Sequence, residues 1–527
     1  MTRQDQHRDG TQLELASAQR RAAAAARRVP LIQTVFDLAE AQQVSVYLVG
    51  GTVRDLLLGC ETHDLDFAVD GDGLRMARHV ADALGGAYVS LDPERRTGRV
   101  VLRGEDAPHE GGADSLDFAS FRGPDLEADL RDRDFTINAM ALRRAADGSF
   151  ALVDPLGGSG DLRGRVLRAT SPHAFADDPV RTLRAVRLGV QFGCQIEAQT
   201  RGWLVEAVPR LPSISAERLR DEWFRALAQR HAGDAVEQLE SLGLLAQIAP
   251  PAAALAAIEQ PPPARTTDAL SHAVETLRAV ELLADALQGQ HGGGIELPVT
   301  VRTLAPYLLR RYASPICDGR THLALLKCAA LLHNVGLLQH VGPAAPRDVL
   351  AAPTSEPAES AAARSARTAA RLARSWRCSN AEVDMLRVTV GAHPRAAHLA
   401  QQERVDRRDI YRYYREAGEH GIDAAFLALA ASWTTCRAGA PVQAWQRHAE
   451  KLVRLWHAFY CEHEQVVDPS PLLSGQDLLQ LGMAPGPQIG ALIDHIREEQ
   501  AAGEIRTRGE ALDAAQAWLR AARENGT

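Results

Sequence analysis

Apolar and polar positions change their period along the chain, from short runs separated by turns to a long helical pattern. Between residues 29 and 150 the apolar runs have the length and the β-branched and aromatic content of strands. The elements predicted there are a helix over Leu31–Gln42 and strands over Val44–Leu48, Leu65–Val69, Arg99–Leu102 and Leu116–Ser120. From residue 151 onward the pattern is helical and rich in Ala, Leu and Arg. The change from a strand pattern to a helical pattern predicts an α+β fold, with a small mixed-sheet head followed by a long all-α body.

Composition shifts and proline clusters divide the chain further. They predict a polar N-terminal extension over 1–28, the head over 29–150, and helical segments over 151–250, 265–465 and 469–527. The length of 527 residues is typical of three or four compact units. A hydrophobic content of 46% excludes wholesale disorder.

The lack of a recognisable membrane span or secretory signal, together with the cysteine usage, predicts a cytoplasmic protein. No apolar run approaches the roughly 18 residues that a membrane span requires, so a membrane protein is excluded. Residues 1–28 have no apolar centre and do not resemble a secretory signal. The 7 cysteines stand singly, without a C-x-x-C pair, which is typical of reduced thiols rather than of disulfides or a zinc site.

Candidate chemistry begins where the first predicted strand ends in Gly50-Gly51 and a helix follows. Two glycines allow the backbone to approach a phosphate closely, and the free N–H groups of the new helix favour an anion. Arg54, one turn into that helix, can add a forked donor to the same anion. A Gly-Gly turn alone is equally consistent with a purely structural role.

Two carboxylates follow on the next predicted strand, where Asp64 and Asp66 alternate with the apolar Leu65 and Phe67. Alternate residues of a strand share a face, so the two carboxylates project together. Paired hard oxygens suit Mg²⁺, which binds through one or two carboxylates plus substrate phosphates. An isolated D-x-D is usually a solvated edge strand, but one placed after a phosphate-binding turn favours a functional site. Asp117, on a later short strand, is a candidate third carboxylate, with an ordinary surface Asp as the alternative.

These residues resemble the head of class II tRNA nucleotidyltransferases, the CCA-adding enzymes and the bacterial poly(A) polymerases. The resemblance continues through further blocks in the family's order and covers nearly the whole chain. The blocks are GGTVRD (50–55), DLD (64–66), RDFTINAMA (133–141), DPLGG (154–158), DDPVRTLRAVR (177–187) and SAER (215–218). The segment around GPQIG (486–490) resembles the tail of long bacterial members, which implies tRNA binding there.

The resemblance implies a template-independent enzyme that adds CCA to tRNA 3′ ends from CTP and ATP with Mg²⁺. The 3′-hydroxyl of tRNA would attack the α-phosphorus and release pyrophosphate. It implies a metal at Asp64 and Asp66; Asp117, the candidate third catalytic carboxylate, rests on the strand pattern alone. The implied nucleotide-binding residues are Gly51, Arg54, Arg133, Asp178, Arg181, Arg184 and Arg187.

The base-selecting role can also be argued from chemistry. Asp178 and Arg181 are three residues apart on the predicted helix, which places them on one of its faces. A carboxylate acceptor beside a guanidinium donor can pair with the Watson–Crick edge of a base. The alternative is the charged solvent face of an amphipathic helix that is anchored by Leu183, Val186 and Leu188.

Two departures from the family pattern keep partial addition open. Asp132 stands where the family usually has a second arginine before Arg133. Only residues 123–129 separate the Phe121-Arg122 strand end from the second motif, where many CCA-adding members have a longer loop that CC-only enzymes lack. CC-only or A-only addition therefore stays an alternative. A poly(A) polymerase is less favoured, because the Gly-Arg-Arg-Phe-type signature is absent from 95–99.

The body resembles an HD-type metal phosphohydrolase through His272, His333 and His393, but Asn334 replaces the central Asp, and 424–439 contains no late Asp. An amide is a poor ligand for a divalent cation compared with a carboxylate. The sequence therefore predicts a degenerate unit that is structural rather than hydrolytic. Two rival functions remain for the whole chain: a hydrolase or nucleotide-sensing protein, and a non-catalytic tRNA-binding protein.

The net charge of −8 is unevenly distributed. Residues 29–150 contain 12 basic and 22 acidic side chains, whereas 161–230 contain 12 basic and 8 acidic ones. Because nucleic-acid binding follows local patches rather than total charge, the neck is the predicted basic surface. The expected partners are the tRNA 3′ acceptor end, CTP and ATP, with no membrane. The oligomeric state stays open.

Overall fold

The computed structural model describes residues 29–60, 64–102, 115–259, 268–290, 295–340 and 360–524, together with residues 26 and 62. The chain divides into two compact units, the first ending at Ile214 and the second beginning at Ser215. That boundary falls inside the predicted segment 151–250, and the finer division into five segments stays a prediction. Apart from Ala26, the predicted extension 1–28 lies outside the described residues.

A mixed sheet of seven strands organises the first unit. The strands are β1 (Ser45–Val49), β2 (Asp64–Asp70), β3 (Ala87–Asp92), β4 (Thr97–Val101), β5 (Ser115–Ser120), β6 (Ala141–Arg144) and β7 (Phe150–Val153). Their order is β3-β4-β5-β2-β1-β6-β7. Neighbours β2 and β5 are parallel, and the other neighbouring pairs are antiparallel. The predicted mixed-sheet head is confirmed.

The four predicted strands correspond to β1, β2, β4 and β5, and the predicted helix corresponds to α1 (Pro30–Ala41). The sequence pattern misses β3, β6 and β7. Edge strand β3 is largely exposed on both faces, so it has no alternation of buried and exposed residues to detect. Strands β6 and β7 have only 4 residues each, too few to establish a period.

Helices connect and flank these strands. They are α2 (Gly51–Leu58), α3 (Gly73–Leu84), α4 (Leu126–Arg131), α5 (Gly158–Gly164), α6 (Ala174–Asp177), α7 (Arg181–Phe192) and α8 (Ala198–Ala207). Local sequence sets where these helices begin and end. Asp72 caps α3 by accepting from the backbone N–H groups of Leu74 and Arg75. Gly59, which follows the last residue of α2, has left-handed backbone angles and terminates that helix. Two short strands, β8 (Val166–Leu167) and β9 (Gln195–Ile196), pair in parallel.

The core of the head lies on one face of strand β2. Leu65 and Phe67 are buried there, and the Phe67 ring stacks on Phe118 of β5 with 5.0 Å between centroids. The same alternation directs Asp64 and Asp66 to the other face. The predicted division of this strand into an apolar and an acidic face is therefore confirmed.

Within its described residues the second unit is helical apart from a small hairpin of β10 (Pro315–Cys317) and β11 (Arg320–Thr321), so the predicted helical body is confirmed. Its first helices are α9 (Ala216–Leu227), α10 (Ala232–Ser241), α11 (Leu245–Ile248), α12 (Pro250–Ala253), α13 (Ala269–Leu287), α14 (Val299–Thr303), α15 (Ala305–Ala313) and α16 (His322–Leu332). They are followed by α17 (Ala361–Ser375), α18 (Asn380–Gln401), α19 (Arg407–Ala417), α20 (Gly421–Arg437) and α21 (Val442–Cys461).

The predicted tail contains α22 (Gly475–Gln480), α23 (Pro487–Ala502) and α24 (Arg508–Glu524), which share a small apolar cluster around Leu478 and Leu492. Helix α23 begins at Pro487, where the ring fixes φ at a helical value and the missing N–H costs nothing. None of the helices in the described ranges is long and apolar enough to cross a membrane.

Candidate active site

The turn between β1 and α2 brings a guanidinium and a carboxylate against the backbone. Gly50 has a φ of 71°, a conformation that disfavours other residues. A Cβ atom at this position would lie 2.9 Å from Nη1 of Arg133 and 3.6 Å from Oδ2 of Asp66. Glycine is therefore required here both for backbone conformation and for the close approach of the two side chains. The adjacent Gly51 begins helix α2.

Helix α2 is joined to the acidic strand by one hydroxyl group. Thr52 donates from Oγ1 to the carbonyl of Asp64 at 3.2 Å and accepts from the backbone N–H of Asp66 at 3.1 Å. The Asp64 carboxylate accepts from the Ser115 hydroxyl on β5. These bonds fix the Gly50-Gly51 turn relative to the carboxylates of Asp64 and Asp66.

A row of charged side chains crosses three neighbouring strands. Asp66 of β2 lies opposite Asp117 of β5, and Asp117 lies opposite Arg99 of β4. Arg99 donates from Nε and Nη2 to the two carboxylate oxygens of Asp117, at 2.7 Å each. The sheet thus places the candidate third carboxylate beside the pair, with both of its oxygens already bound by an arginine that the sequence does not single out.

The electrostatics of this row favour a cation. Burial raises the pKa of Asp66 to about 6; Arg133 lowers this pKa, whereas the negative charges of Asp117 and Asp64 raise it further. A cation between Asp64 and Asp66 would relieve that repulsion. No three His, Cys, Asp or Glu side chains of the described ranges are arranged to hold a metal ion by themselves. The residues therefore fit a two-carboxylate magnesium site that substrate phosphates complete.

Arg133 and Arg54, both predicted to bind nucleotide, have different surroundings. Arg133 donates from Nη2 to the buried carboxylate of Asp129 at 3.0 Å, which holds its guanidinium beside Gly50. Arg54 is buried and directs its donors into the protein, to Asp55 at 2.9 and 3.0 Å and to Asn138 at 2.6 Å. Its role as a phosphate ligand stays a prediction.

The predicted selecting helix is α7, which buries Leu183, Val186 and Leu188 as expected. The expectation that Asp178 and Arg181 belong to one helix is wrong. Helix α6 ends at Asp177, Asp178 has extended backbone angles, and α7 begins at Arg181. The residue before a proline avoids the helical region, and Pro179 follows Asp178.

The three arginines of α7 each contact acceptors on the protein. Arg181 donates to the carbonyls of Ala174 and Asp132 at 3.2 and 3.1 Å. Arg184 donates from Nη1 to Oδ2 of the buried Asp134 at 3.1 Å, and Arg187 donates to the side chain of Gln191 at 3.2 Å. Their predicted contacts with base and phosphates are not tested by these distances.

The sequence pattern does not identify Arg99, the partner of Asp117, or the partners of the predicted arginines, Asp129, Asp134 and Asn138. A local signal exists for Asp129, which lies in α4 four residues before Arg133. Asp134 and Asn138 lie within the RDFTINAMA block, in which only Arg133 had an assigned role.

The second unit contains a cavity of about 470 Å³ at the predicted hydrolase-like centre. Five histidines line it, His272, His333, His393, His398 and His448, and Asn334 lies among them. Helix α20 contributes Ala428, Ala431, Ser432 and Thr435, and none of the described residues that line the cavity is an Asp or a Glu. Asp423, one residue before the stretch without Asp, pairs with Arg311 at 2.7 Å instead. The absence of hydrolase activity stays a prediction.

Comparisons with known proteins cover both units. A family model described as "Poly A polymerase head domain" matches residues 46–168, and one described as "Probable RNA and SrmB- binding site of polymerase A" matches 193–255. A CC-adding tRNA nucleotidyltransferase of Geobacter sulfurreducens is 32% identical over 92% of this chain and 94% of the relative. An A-adding tRNA nucleotidyltransferase of Deinococcus radiodurans is 31% identical over 89% of this chain and 95% of the relative.

Solved structures show the same fold. A CCA-adding enzyme in complex with CTP matches with a TM-score of 0.59 at 20% identity, over 94% of this chain and 97% of that one. The Thermotoga maritima CCA-adding enzyme complexed with tRNA matches with a TM-score of 0.55 at 20% identity, over 93% and 96% of the two chains.

Proposed function

This chain belongs to the tRNA nucleotidyltransferase family, and on that premise we propose that it builds the CCA end of tRNA from CTP and ATP without a template. The observation that carries the proposal is the meeting of Arg133 and Asp66 at Gly50, beside Asp64. This arrangement combines a donor for a triphosphate with a carboxylate pair for a cation, which are the two parts that nucleotidyl transfer requires.

In the proposed reaction the 3′-hydroxyl of tRNA gives up its proton to solvent and its oxygen bonds to the α-phosphorus, while the bond from that phosphorus to the bridging oxygen breaks and pyrophosphate leaves. Enzymes of this family generally use a divalent metal, and Asp64 and Asp66 are the residues that would hold Mg²⁺ here. A bound Mg²⁺ neutralises charge on the phosphates. Arg133, fixed by Asp129, orients the triphosphate, and the α7 arginines receive the base.

Two observations favour CC-only addition as a second candidate. The relative that is 32% identical over 92% of this chain is a CC-adding enzyme. The connection between β5 and α4 is short, since β5 ends at Ser120 and α4 begins at Leu126. The base specificity of the last step therefore decides between the two candidates.

The test supplies purified protein with tRNAs that end at the discriminator base, at C or at CC, together with CTP, ATP or both. Product lengths on a sequencing gel report each addition. An Asp64→Ala variant purified in parallel controls for contaminating host enzyme, and we expect no products from it. Completion to CCA supports the first candidate, and a stop after two C residues supports the second.

Two outcomes contradict the whole proposal. The first is no incorporation into any acceptor by the wild-type protein. The second is equal incorporation by the wild-type and Asp64→Ala proteins. Wild-type tRNA binding without incorporation would favour the non-catalytic tRNA-binding alternative.

A further inference from the structure

The RDFTINAMA block contains an uninterrupted chain of hydrogen bonds between two helices of the first unit. Arg54 of α2 donates from Nη1 to Oδ1 of Asn138 at 2.6 Å. Asn138 donates from Nδ2 to Oδ1 of Asp134 at 3.0 Å, and Asp134 accepts at Oδ2 from Nη1 of Arg184 on α7 at 3.1 Å. The helix at the Gly50 turn and the helix predicted to select the base are thus linked through one amide and one carboxylate.

Asn138 is the directional member of this chain. Its amide oxygen faces a cation that can only donate, and its amide nitrogen faces a carboxylate that accepts. An aspartate of the same size would retain the bond to Arg54 but would set a carboxylate against Asp134. An alanine would remove both bonds and leave Arg54 and Asp134 with fewer partners in a buried environment.

Asp134 is suited to hold an arginine in a fixed position. Its side chain is buried, and burial alone would raise its pKa. Arg184, the Asn138 amide and the backbone N–H of Phe135 together hold the pKa below the ordinary value. The carboxylate is therefore ionised at neutral pH, and its charge-assisted bond restricts the Arg184 guanidinium.

Helix α7 makes two further contacts, one at each end. At its start, Nη2 of Arg181 donates to the backbone carbonyl of Asp132, the residue before the block. At its last residue the Phe192 ring lies 4.3 Å from the Arg54 guanidinium of α2, a cation–π distance. Both ends of α7 are thus held, in addition to the bond between Arg184 and Asp134.

We propose that Asn138 is a positioning residue for base selection, which fixes Arg184 through Asp134 and couples it to Arg54 beside the phosphate-binding turn. The proposal rests on the proposed function, because it assigns α7 the task of receiving the base. It predicts that loss of the Asn138 amide impairs discrimination between bases more than it impairs the affinity for a triphosphate.

Equilibrium binding tests this without requiring catalysis. Dissociation constants of CTP, UTP, ATP and GTP are measured with Mg²⁺ for wild-type, Asn138→Ala and Asn138→Asp proteins. The matched control is Asn380→Ala, which removes an exposed amide at the start of α18. We expect the ratio of UTP to CTP dissociation constants, or of GTP to ATP, to fall about tenfold in both Asn138 variants and to be unchanged in the control.

A double-variant cycle tests whether Asn138 acts on base selection through Arg184. Arg184→Ala combined with Asn138→Ala is expected to discriminate no worse than Arg184→Ala alone, because both changes act on the same contact. Thermal melting confirms that each variant is folded, and Asn138→Asp retains side-chain volume if Asn138→Ala does not fold. Wild-type discrimination in a folded Asn138 variant would overturn the inference, as would additive losses in the double variant or a wild-type protein that binds all four nucleotides equally.

The outcome is separable from the proposed function. A wild-type protein that discriminates in binding but adds no nucleotide to tRNA contradicts the proposed function and leaves the binding test of Asn138 intact. A protein that adds nucleotides and whose Asn138 variants select normally contradicts only the present inference.

Discussion

The carboxylates of Asp64, Asp66 and Asp117 lie close together, an arrangement that lowers the stability of the fold but suits the binding of a cation. Asp66 is the clearest case, because its carboxylate is partly buried, lies opposite Asp117 and neighbours Asp64. Its pKa of about 6 lies above the unfolded value, so the ionised form present at neutral pH destabilises the fold. A cation would remove that cost.

The first prediction concerns Asp66→Asn. We expect incorporation to fall about a thousandfold or more, since one of the two proposed metal ligands is lost. In metal-free buffer at pH 7.5 we expect the melting temperature to rise by roughly 3 °C, because a neutral amide neither repels Asp117 nor loses charge solvation. Asp70→Asn, at the exposed far end of the same strand, should change neither value. A lower melting temperature for Asp66→Asn would contradict the electrostatic account.

The second prediction concerns the Arg99–Asp117 pair. Arg99→Met leaves Asp117 uncompensated near Asp64 and Asp66, so the Mg²⁺ concentration for half-maximal incorporation should fall roughly three- to tenfold. Asp117→Asn should shift it in the opposite direction. Arg95→Met serves as the matched control, because the Arg95 side chain is 80% exposed. Shifts of the same sign in the Arg99 and Asp117 variants would show that the pair is only structural.

At the scale of elements, the helices around the histidine cavity bury imidazole groups whose protonation changes with pH. Helices α13, α18, α20 and α21 line this cavity together with the end of α16. Burial lowers the pKa values of His272 and His333, and it lowers that of His393 to about 4. No carboxylate of the described residues lines the cavity, and at His272 burial outweighs the charge of Glu275, which raises the pKa of that imidazole.

The third prediction follows from these shifts. The unfolded chain binds protons near pH 6.5 and the folded bundle does not, so stability falls as the pH decreases from 6.5 towards 4. Between pH 6.5 and 5, His393 alone should account for up to about 2 kcal/mol. Urea unfolding at several pH values, with a chelator present, measures this. His393→Gln should flatten the dependence, whereas His495→Gln, exposed on α23, should not. Unchanged slopes for His393→Gln would refute the assignment.

Over the whole molecule, nearly all of the positive charge is carried by arginine rather than by lysine. The chain has only two lysines. Lys327 is buried and pairs with Glu281 at 3.0 Å, and Lys451 donates to the carbonyl of Gln402. The exposed cations of the described surface are therefore almost all forked guanidinium groups, which suit phosphates and base edges.

The fourth prediction concerns tRNA binding. Despite the net charge of −8, the dissociation constant for tRNA should rise roughly a hundredfold between 50 and 200 mM KCl, as about four to five phosphate contacts would give, because bound phosphates release counterions. The double variant Arg201→Gln/Arg210→Gln, at exposed positions of the basic stretch, should reduce the salt slope by about two. Arg95→Met in the acidic head should leave the slope unchanged. Salt-independent binding would argue against a phosphate-based interface.

The sequence alone determined the head and body, four of the seven sheet strands, the acidic face of β2 and the family. These depend on apolar period and on motifs whose residues are near each other in the chain, and such signals survive without knowledge of the fold. Pro179 is a local signal that separates Asp178 from α7, and in the structure it outweighs the three-residue spacing of Asp178 and Arg181.

Tertiary structure alone decided the partners of the functional side chains. Arg99 meets Asp117 because β4 and β5 are neighbours, and Asn138 meets Arg54 from 84 positions away. Arg184 meets Asp134 across 50 positions. A charged or amide side chain has many acceptable partners in a sequence of this composition. Only the packing of strands and helices selects one, because a buried donor must be satisfied by whichever acceptor the fold brings within 3 Å or so.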